Sequence, residues 1–257
     1  MVAGELRFSD SAWFAVRIGV LLGRPTRVPD MTEPDSLRAS GSSTDLDPPG
    51  VNQLFAVIAY GEVAAFYRLT DESRMAPDLA SKIAIASMAA SQMRHYEVLR
   101  DAMEAKGIDV LAAMEPYVKT LENYHSLTLP RTWLEAMVKA YIGDSLAADF
   151  YGEVVDSLSG ESAAVLKSVL GTTGHSEFVI AQVRDAVKEN SQQRNRLTLW
   201  GRRLLGEAIT QAQHVLARHD ELAELVMSGG AGLGNLNEFF ERLQSAHAER
   251  MAVLGLG

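Results

Sequence analysis

The feature that most constrains this fold is a series of long amphipathic stretches, which begins at Val51 and is interrupted by short breaks. In each stretch apolar residues recur every three or four positions, as they do in a helix that buries one face. The breaks contain proline, glycine or serine, which are typical of helix starts and ends. The predicted helices are 51–69, 79–106, 130–158, 161–189, 196–227 and 235–254, with a short helix at 110–120.

Two pairs of these helices are joined by tight turns, Pro77-Asp78 and Ser159-Gly160, which predicts two helical hairpins. The connection between the hairpins, 108–129, is much longer than either turn. A four-helix bundle with a single long crossover has the ferritin-like topology. We therefore predict an all-α fold: a ferritin-like four-helix bundle with a long crossover between helices 2 and 3 and two additional C-terminal helices. The predicted helical domain is 51–255, with a core bundle at 51–189 and C-terminal helices at 196–254.

Residues 1–50 differ in composition from the rest of the chain. The apolar stretch 12–22 is broken by Arg17 and is followed by no small-residue cleavage site, so it makes a poor signal peptide. Residues 31–50 are rich in Ser, Asp and Pro and lack periodicity, which is typical of disorder. We expect 1–50 to be a disordered leader. Alternatively, Met31 is the start codon and 1–30 an over-reading upstream of it.

Composition excludes several classes of function. The chain has no cysteine, which rules out disulfides, zinc–thiolate sites and thiol catalysis and fits a cytoplasmic location. Its net charge of −9 disfavours DNA binding, although a local basic patch could seat one folded RNA. No uninterrupted apolar stretch of about 18 residues predicts a membrane span. The basic residues around Trp200, for which a solvated helix face is the simpler interpretation, are Arg194, Arg196, Arg202 and Arg203.

Four polar residues occupy positions where the helical pattern calls for apolar ones. Burying such groups costs several kcal/mol unless they are paired or bind a metal ion. Glu62 and His95 are nearly equidistant from the first hairpin turn, and Asp144 and His175 are nearly equidistant from the second. Each hairpin therefore places an acid and a histidine at one depth, the layout of a dinuclear site in a bundle core. Oxygen and imidazole ligands suit one or two ions of iron or manganese.

A second tier of candidate ligands surrounds these four. In dinuclear bundle sites, two helices carry Glu-x-x-His, whose glutamates supply bridging carboxylates. Here the pattern reads Gln92-x-x-His95 and Thr172-x-x-His175. Glutamine is a weak ligand and threonine barely one, so loss of the metal is the alternative to a bound ion. Asp149 is a rival carboxylate on the third helix, but no histidine matches its depth.

Four segments carry a resemblance to a known family: Tyr60–Arg68, Gln92–Tyr96, Ala140–Asp144 and Thr173–Phe178. They resemble an actinobacterial branch of the ferritin-like superfamily that is itself similar to the tRNA hydroxylase MiaE. The resemblance extends over about residues 51–255 and implies a ferritin-like bundle, a non-haem di-iron centre and the use of dioxygen. It implies that the two acids and two histidines above are metal ligands. It is also the sole reason to name transfer RNA as a partner.

Two functions are consistent with these patterns. The first is a metal-dependent oxygenase of the hydroxylase type that acts on a bulky organic substrate of unknown identity. The second is a non-catalytic ferritin-like scaffold or interaction protein with a degenerate metal site, which the missing glutamates at 92 and 172 favour. Either protein could form a homo-oligomer. In the first, we expect an apolar sleeve to keep water from the metal, formed by Tyr60, Phe66, Tyr96 and Tyr141.

Overall fold

In the computed structural model, which describes residues 47–156, 158–170, 176–228 and 236–257, all regular structure is helical. The predicted all-α fold is confirmed for these residues. They form nine α-helices, with a short 3-10 turn after the first. The helices are α1 (Val51–Glu72), α2 (Leu79–Ala105), α3 (Val110–Leu127), α4 (Trp133–Asp156), α5 (Gly160–Leu170), α6 (Ser176–Val187), α7 (Ser191–Leu216), α8 (Asp220–Ser228) and α9 (Leu236–Val253).

The ends of α2 follow directly from local sequence. The side chain of Asp78 accepts a hydrogen bond from the backbone N–H of Ser81 at 2.7 Å, which caps the first turn. Gly107 follows the last turn with φ of +72°, a left-handed conformation that glycine adopts without strain. The backbone N–H of the next residue, Ile108, donates to the carbonyl oxygen of Met103 at 3.1 Å and closes the helix end. The predicted cap at Asp78 and stop at Gly107 are confirmed.

The bundle is formed by α1, α2, α4, α5 and α6. α1 packs along α2, α2 packs on α5, α4 packs on both α5 and α6, and α1 meets α4. α3 lies against α1, and α7 packs on α3, α4 and α6. α8 packs on α1 and α4, while α9 packs on α4 and α7. α4 is thus a central helix with neighbours on several sides.

The connection between the hairpins is more helical than predicted. We expected a short helix at 110–120, whereas α3 continues to Leu127. Its end is set by Thr128, whose hydroxyl donates to the carbonyl oxygen of Tyr124 at 2.6 Å. Because α3 buries one face against α1 and α7, tertiary packing carries the helix beyond the point where the sequence periodicity weakens. The crossover is therefore itself a structural layer of the protein.

One further prediction of helix bounds was wrong. The predicted helix 196–227 begins earlier, because the side chain of Asn190 accepts from the backbone N–H of Gln193 at 2.9 Å and caps α7. It also ends earlier, at Leu216, and a turn leads into α8, which buries Leu222 among other apolar residues. The predicted fourth helix, 161–189, is described as α5 and α6. Residues 171–175 between them lie outside the described part of the chain.

The buried apolar residues form two clusters, one toward each end of the bundle. The first includes Phe55 of α1 and Leu99 of α2. The second includes Leu69 of α1 and Ile85 of α2. Both helices pass from one cluster to the other, as α4 does, and their middle segments lie between the clusters. The fold therefore leaves a central layer in which polar side chains from several helices can meet.

None of the described helices is long and apolar enough to cross a membrane. The predicted leader, 1–50, lies outside the described residues except for 47–50. Of these, Gly50 precedes α1 with φ of +88° and approaches α8 closely. The boundary between leader and helical domain stays a prediction.

Candidate functional site

A cavity of about 180 Å³ lies in the central layer, bounded by helices α1 to α5. We call it the polar cavity, because acidic, basic and aromatic polar groups line it together with small apolar residues. These groups come from four successive helices, so the site exists only where the helices pack together in the folded protein. They are Glu62 and Arg68 of α1, Gln92 and His95 of α2, Tyr124 and His125 of α3, and Lys139, Asp144 and Tyr151 of α4.

Glu62 and His95 contact each other across the interface of α1 and α2. Nδ1 of His95 lies 3.4 Å from Oε2 of Glu62, and each side chain is 13% exposed. Oε2 is buried and has no hydrogen-bond partner among the described residues. Burial raises the pKa of Glu62, and the neighbouring imidazole opposes that rise. The pair therefore presents one buried carboxylate oxygen that can still accept a cation or a hydrogen bond.

Asp144 approaches the same cavity from α4. Asp144 is partly buried, and burial raises its pKa to about 6, although the positive charge of Arg68 favours the ionised form. The charge on Glu62 raises this pKa as well, and His95 lowers it. The two acids and the histidine therefore form one interacting electrostatic set across three helices.

Two basic side chains also line the cavity. Nη1 of Arg68 lies 2.9 Å from Oε2 of Glu72, and the two side chains are only 8% and 5% exposed. Lys139 is 1% exposed, and its Nζ donates to the carbonyl oxygen of Thr128 at 2.7 Å. Burial and the charge of Arg68 lower the pKa of Lys139 to about 7. The polar cavity therefore has charged groups of both signs in its wall.

The wall formed by α3 adds uncharged polar groups. The hydroxyl of Tyr124 and Nδ1 of His125 are buried and lack hydrogen-bond partners within the described residues. Burial raises the pKa of Tyr124 to about 12. Burial and the charges of Arg68 and Lys139 lower the pKa of His125 to about 2, which keeps this imidazole neutral. Both groups can therefore still bond to a ligand in the cavity.

Three of the four predicted metal ligands, Glu62, His95 and Asp144, line the polar cavity together. The second-tier candidate Gln92 does so as well, and it is 9% exposed. His175, the fourth, lies outside the described residues. So does Thr172 of the second tier.

The rival carboxylate, Asp149, has a structural partner instead. Both of its oxygens accept from the guanidinium group of Arg250 on α9. Asp149 is not among the described residues that line the polar cavity. This ion pair links α9 to α4.

Sequence reasoning missed five residues of the polar cavity. A signal existed for Tyr124, because it follows Tyr117 and Leu121 at helical spacing, but α3 was predicted to end before it. A buried lysine or arginine has no comparable signal, since both residue types are usually exposed. The missed residues are Arg68, Tyr124, His125, Lys139 and Tyr151.

The aromatic residues that we expected to shield a metal are not the ones that line the cavity. The hydroxyl of Tyr60, for example, donates to Oε1 of Glu122 at 3.0 Å on the surface. Tyr124 and Tyr151 occupy the shielding position instead. Periodicity identifies the apolar face of a helix, but it does not tell which aromatic ring on that face reaches a given neighbour. The expected residues absent from the cavity lining are Tyr60, Phe66, Tyr96 and Tyr141.

The basic run on α7 makes contacts within the chain. Arg196 pairs with Oε1 of the buried Glu135 at 2.9 Å. Arg194 donates to the carbonyl oxygen of Val187 at 3.0 Å, and Arg203 donates to that of Leu127 at 2.6 Å. The indole N–H of Trp200 is buried and bonds to the backbone of α4. These contacts give the run a structural role, and its binding to RNA stays a prediction.

The side chains that line the polar cavity offer few ligands for a metal ion. Among the described residues, no three His, Asp or Glu side chains are grouped as a metal site. A two-ion centre does not fit this cavity, because Gln92 stands where a bridging carboxylate is needed and two basic side chains share the wall. For a single ion, the described residues bring together one pair of donors, Glu62 and His95. A carboxylate and an imidazole are ligands that iron and manganese accept.

Comparison with known proteins bears on the whole bundle. Residues 48–229 match a family described as "Ferritin-like domain, actinomycetes". The match runs from α1 to α8 and so includes every described residue of the polar cavity. It confirms the predicted ferritin-like fold. No curated protein matches the sequence.

Proposed function

The chain belongs to the ferritin-like domain family of actinomycetes, and we propose that it is a metal-dependent oxygenase of the hydroxylase type with one iron or manganese ion. One observation supports this most strongly. A buried carboxylate oxygen of Glu62 lies 3.4 Å from the imidazole of His95, its polar neighbour in the wall of the polar cavity, and makes no well-formed hydrogen bond among the described residues. Buried acids are normally paired or bound to metal. Asp144 in the same cavity supplies a second carboxylate.

The roles of the chain's own residues follow from their positions. The contacting pair of Glu62 and His95 would hold the ion, with Asp144 and His175 as the further ligands that the sequence predicts. Such an ion, when bound, supplies the activation of dioxygen. The rings of Tyr124 and Tyr151, together with apolar neighbours, exclude water from the cavity, which protects reactive species from side reactions.

The substrate is the least constrained part of the proposal. The resemblance to the hydroxylase MiaE suggests transfer RNA, yet two features weigh against it. The net charge of −9 disfavours contact with a phosphate backbone, and three of the four arginines of α7 are bonded within the chain. A small apolar substrate is the better candidate.

A second function has its own support. Gln92 replaces a carboxylate, and Arg68 and Lys139 bring positive charge to a cavity that should attract cations. These features favour a non-catalytic ferritin-like scaffold or interaction protein in which the metal site has degenerated. In that protein the polar layer would be a purely structural network.

Metal content separates the two functions. The protein is expressed with iron or manganese supplementation, and bound metal is measured by mass spectrometry in the unaltered chain and in His95→Ala, Glu62→Gln and His175→Ala. His214→Ala is the matched control, since His214 is exposed on α7. The oxygenase proposal predicts one ion per chain, lost in the first three variants and retained in the control. No bound ion, with normal folding throughout, would overturn the proposal and favour the scaffold.

A further inference from the structure

A second cavity, of about 170 Å³, lies beside the polar cavity. We call it the apolar cavity, because hydrocarbon side chains from six helices make up most of its wall. An apolar cavity of about 150 Å³ stays dry and takes up a benzene-sized guest, so this one has room for a single ring or a short alkyl chain. Residues that line it include Val57, Leu146, Phe150, Ile209, Val215 and Leu243.

The two cavities adjoin each other. Leu121, Tyr124, Gly143, Ala147 and Tyr151 line both of them. Two of these residues, Gly143 and Ala147, lie one turn apart on α4 and have minimal side chains. A Cβ added at Gly143 would meet no atom within 4 Å. The partition between the cavities is therefore thin at α4, next to Asp144.

The charges in the polar cavity restrict what can enter it. Acidic and basic groups line the same cavity. Glu62 and Asp144 would repel an anionic head group, and Arg68 and Lys139 would repel a cationic one. A full charge of either sign would therefore lose its hydration in the cavity and also face a like-charged group in the lining. A hydroxyl group carries no charge, and it can donate to Oε2 of Glu62 or accept from the hydroxyl of Tyr124, neither of which has a well-formed hydrogen bond within the described residues.

From these features we infer that the two cavities together bind one uncharged amphiphile, an aliphatic or aryl-alkyl alcohol. Its hydrocarbon body fills the apolar cavity, and its hydroxyl-bearing end passes Gly143 into the polar cavity. As a substrate class for the oxygenase the inference rests on the proposed function, whereas the binding itself requires no metal ion.

The first test compares head groups on the unaltered protein after treatment with a chelator. The probe is 1-octanol, titrated while the methyl NMR signals of Val57, Leu146 and Ile209 are followed. The inference predicts saturable binding, with octanoate and octylammonium at least about tenfold weaker because their charges must be desolvated. No saturable binding of octanol, or equal binding of either charged analogue, would overturn the inference.

The second test blocks the passage between the cavities. Gly143→Leu places a side chain in the open space at the partition and should weaken octanol binding at least about tenfold, the equivalent of roughly two lost methylene contacts. Gly206→Leu, the same change at an exposed glycine of α7, should leave octanol binding unchanged. Equal octanol affinity in Gly143→Leu and the unaltered chain would contradict the proposed route.

The two proposals can fail separately. Octanol binding by a chain that takes up no metal would support the alcohol site and overturn the oxygenase. Metal binding without any octanol binding would do the reverse.

Discussion

The imidazole of His95 on α2 lies against the carboxylate of Glu62 on α1, with 3.4 Å between Nδ1 and Oε2. Gln92 lies one turn before His95 and faces the same cavity. The position of a bridging glutamate is thus occupied by a side chain of nearly the same shape and without its charge. Replacing Gln92 by glutamate would therefore place a negative charge in the lining of the same cavity.

Gln92→Glu should therefore bind metal more tightly than the unaltered chain. Without metal, the third acid near Glu62 and Asp144 should destabilise the fold by about 1–3 kcal/mol at neutral pH. With Mn²⁺ present, the loss should reverse, and affinity should rise at least about tenfold. Thermal unfolding with and without Mn²⁺ measures both effects. Gln92→Met is the control, and equal Mn²⁺ affinity in Gln92→Glu and the unaltered chain would count against the site.

The buried pair of Arg68 and Glu72 predicts strong non-additivity. Arg68→Met leaves Glu72 buried opposite an apolar group and should cost about 3 kcal/mol of unfolding free energy. The double variant Arg68→Met/Glu72→Leu should recover most of that loss, because no unpaired charge remains. Urea unfolding at pH 7 measures the cycle. The exposed pair Arg74–Asp71, at 3.4 Å, is the control, and Arg74→Met should have no measurable effect on stability. Additive losses of stability at the buried pair would contradict the prediction, because they would show that the two side chains do not depend on each other.

The buried amine of Lys139 predicts a specific dependence of stability on pH. Burial first, then the charge of Arg68, lowers its pKa to about 7, while Glu72 opposes this and Tyr124 faces the amine through its ring. Between that value and the ordinary pKa of about 10.4, the unfolded chain binds more protons than the folded one, so stability rises with pH. Lys139→Met should lack this rise. The check is unfolding by guanidinium from pH 6.5 to 9.5, where parallel curves for the two proteins would refute the shift.

Two glycines with positive φ should differ in their tolerance of alanine. Gly107 has φ of +72° and open space around it, so Gly107→Ala should cost only the backbone strain, about 1 kcal/mol. Gly50 has φ of +88°, and a Cβ there would lie 2.4 Å from the carbonyl oxygen of Glu221. Gly50→Ala should therefore cost clearly more, about 2–4 kcal/mol, because α8 must move. Melting temperatures of the two variants test the ranking, which equal losses would contradict.

The sequence predicted the parts of this structure that depend on local periodicity and turns. Asp78 and Gly107 bound α2 as expected, and equal distance from one turn was enough to place Glu62 and His95 at the same depth. The prediction weakened where packing between distant segments decides the outcome. The C-terminal half of α3 is helical because α1 and α7 cover it, and that contact leaves no pattern in the sequence of α3 itself.

In the candidate site, too, the sequence predicted some residues and missed others. The acids and histidines stand out because they interrupt apolar faces, and this signal located three residues of the polar cavity. Lys139 gives no such signal, since α4 is buried around much of its circumference between α5, α6 and α7. A lysine there is expected on the solvated face, and only the position of the neighbouring helices shows that this face is covered.

The most direct test of the metal site is anomalous diffraction from crystals grown with Mn²⁺, recorded for the unaltered chain and for His95→Ala. The proposed function predicts a single anomalous peak in the polar cavity, between Glu62 and His95, that disappears in the variant. Two peaks would contradict the single-ion assignment. An empty polar cavity at saturating Mn²⁺, in a chain that folds normally, would contradict the oxygenase itself.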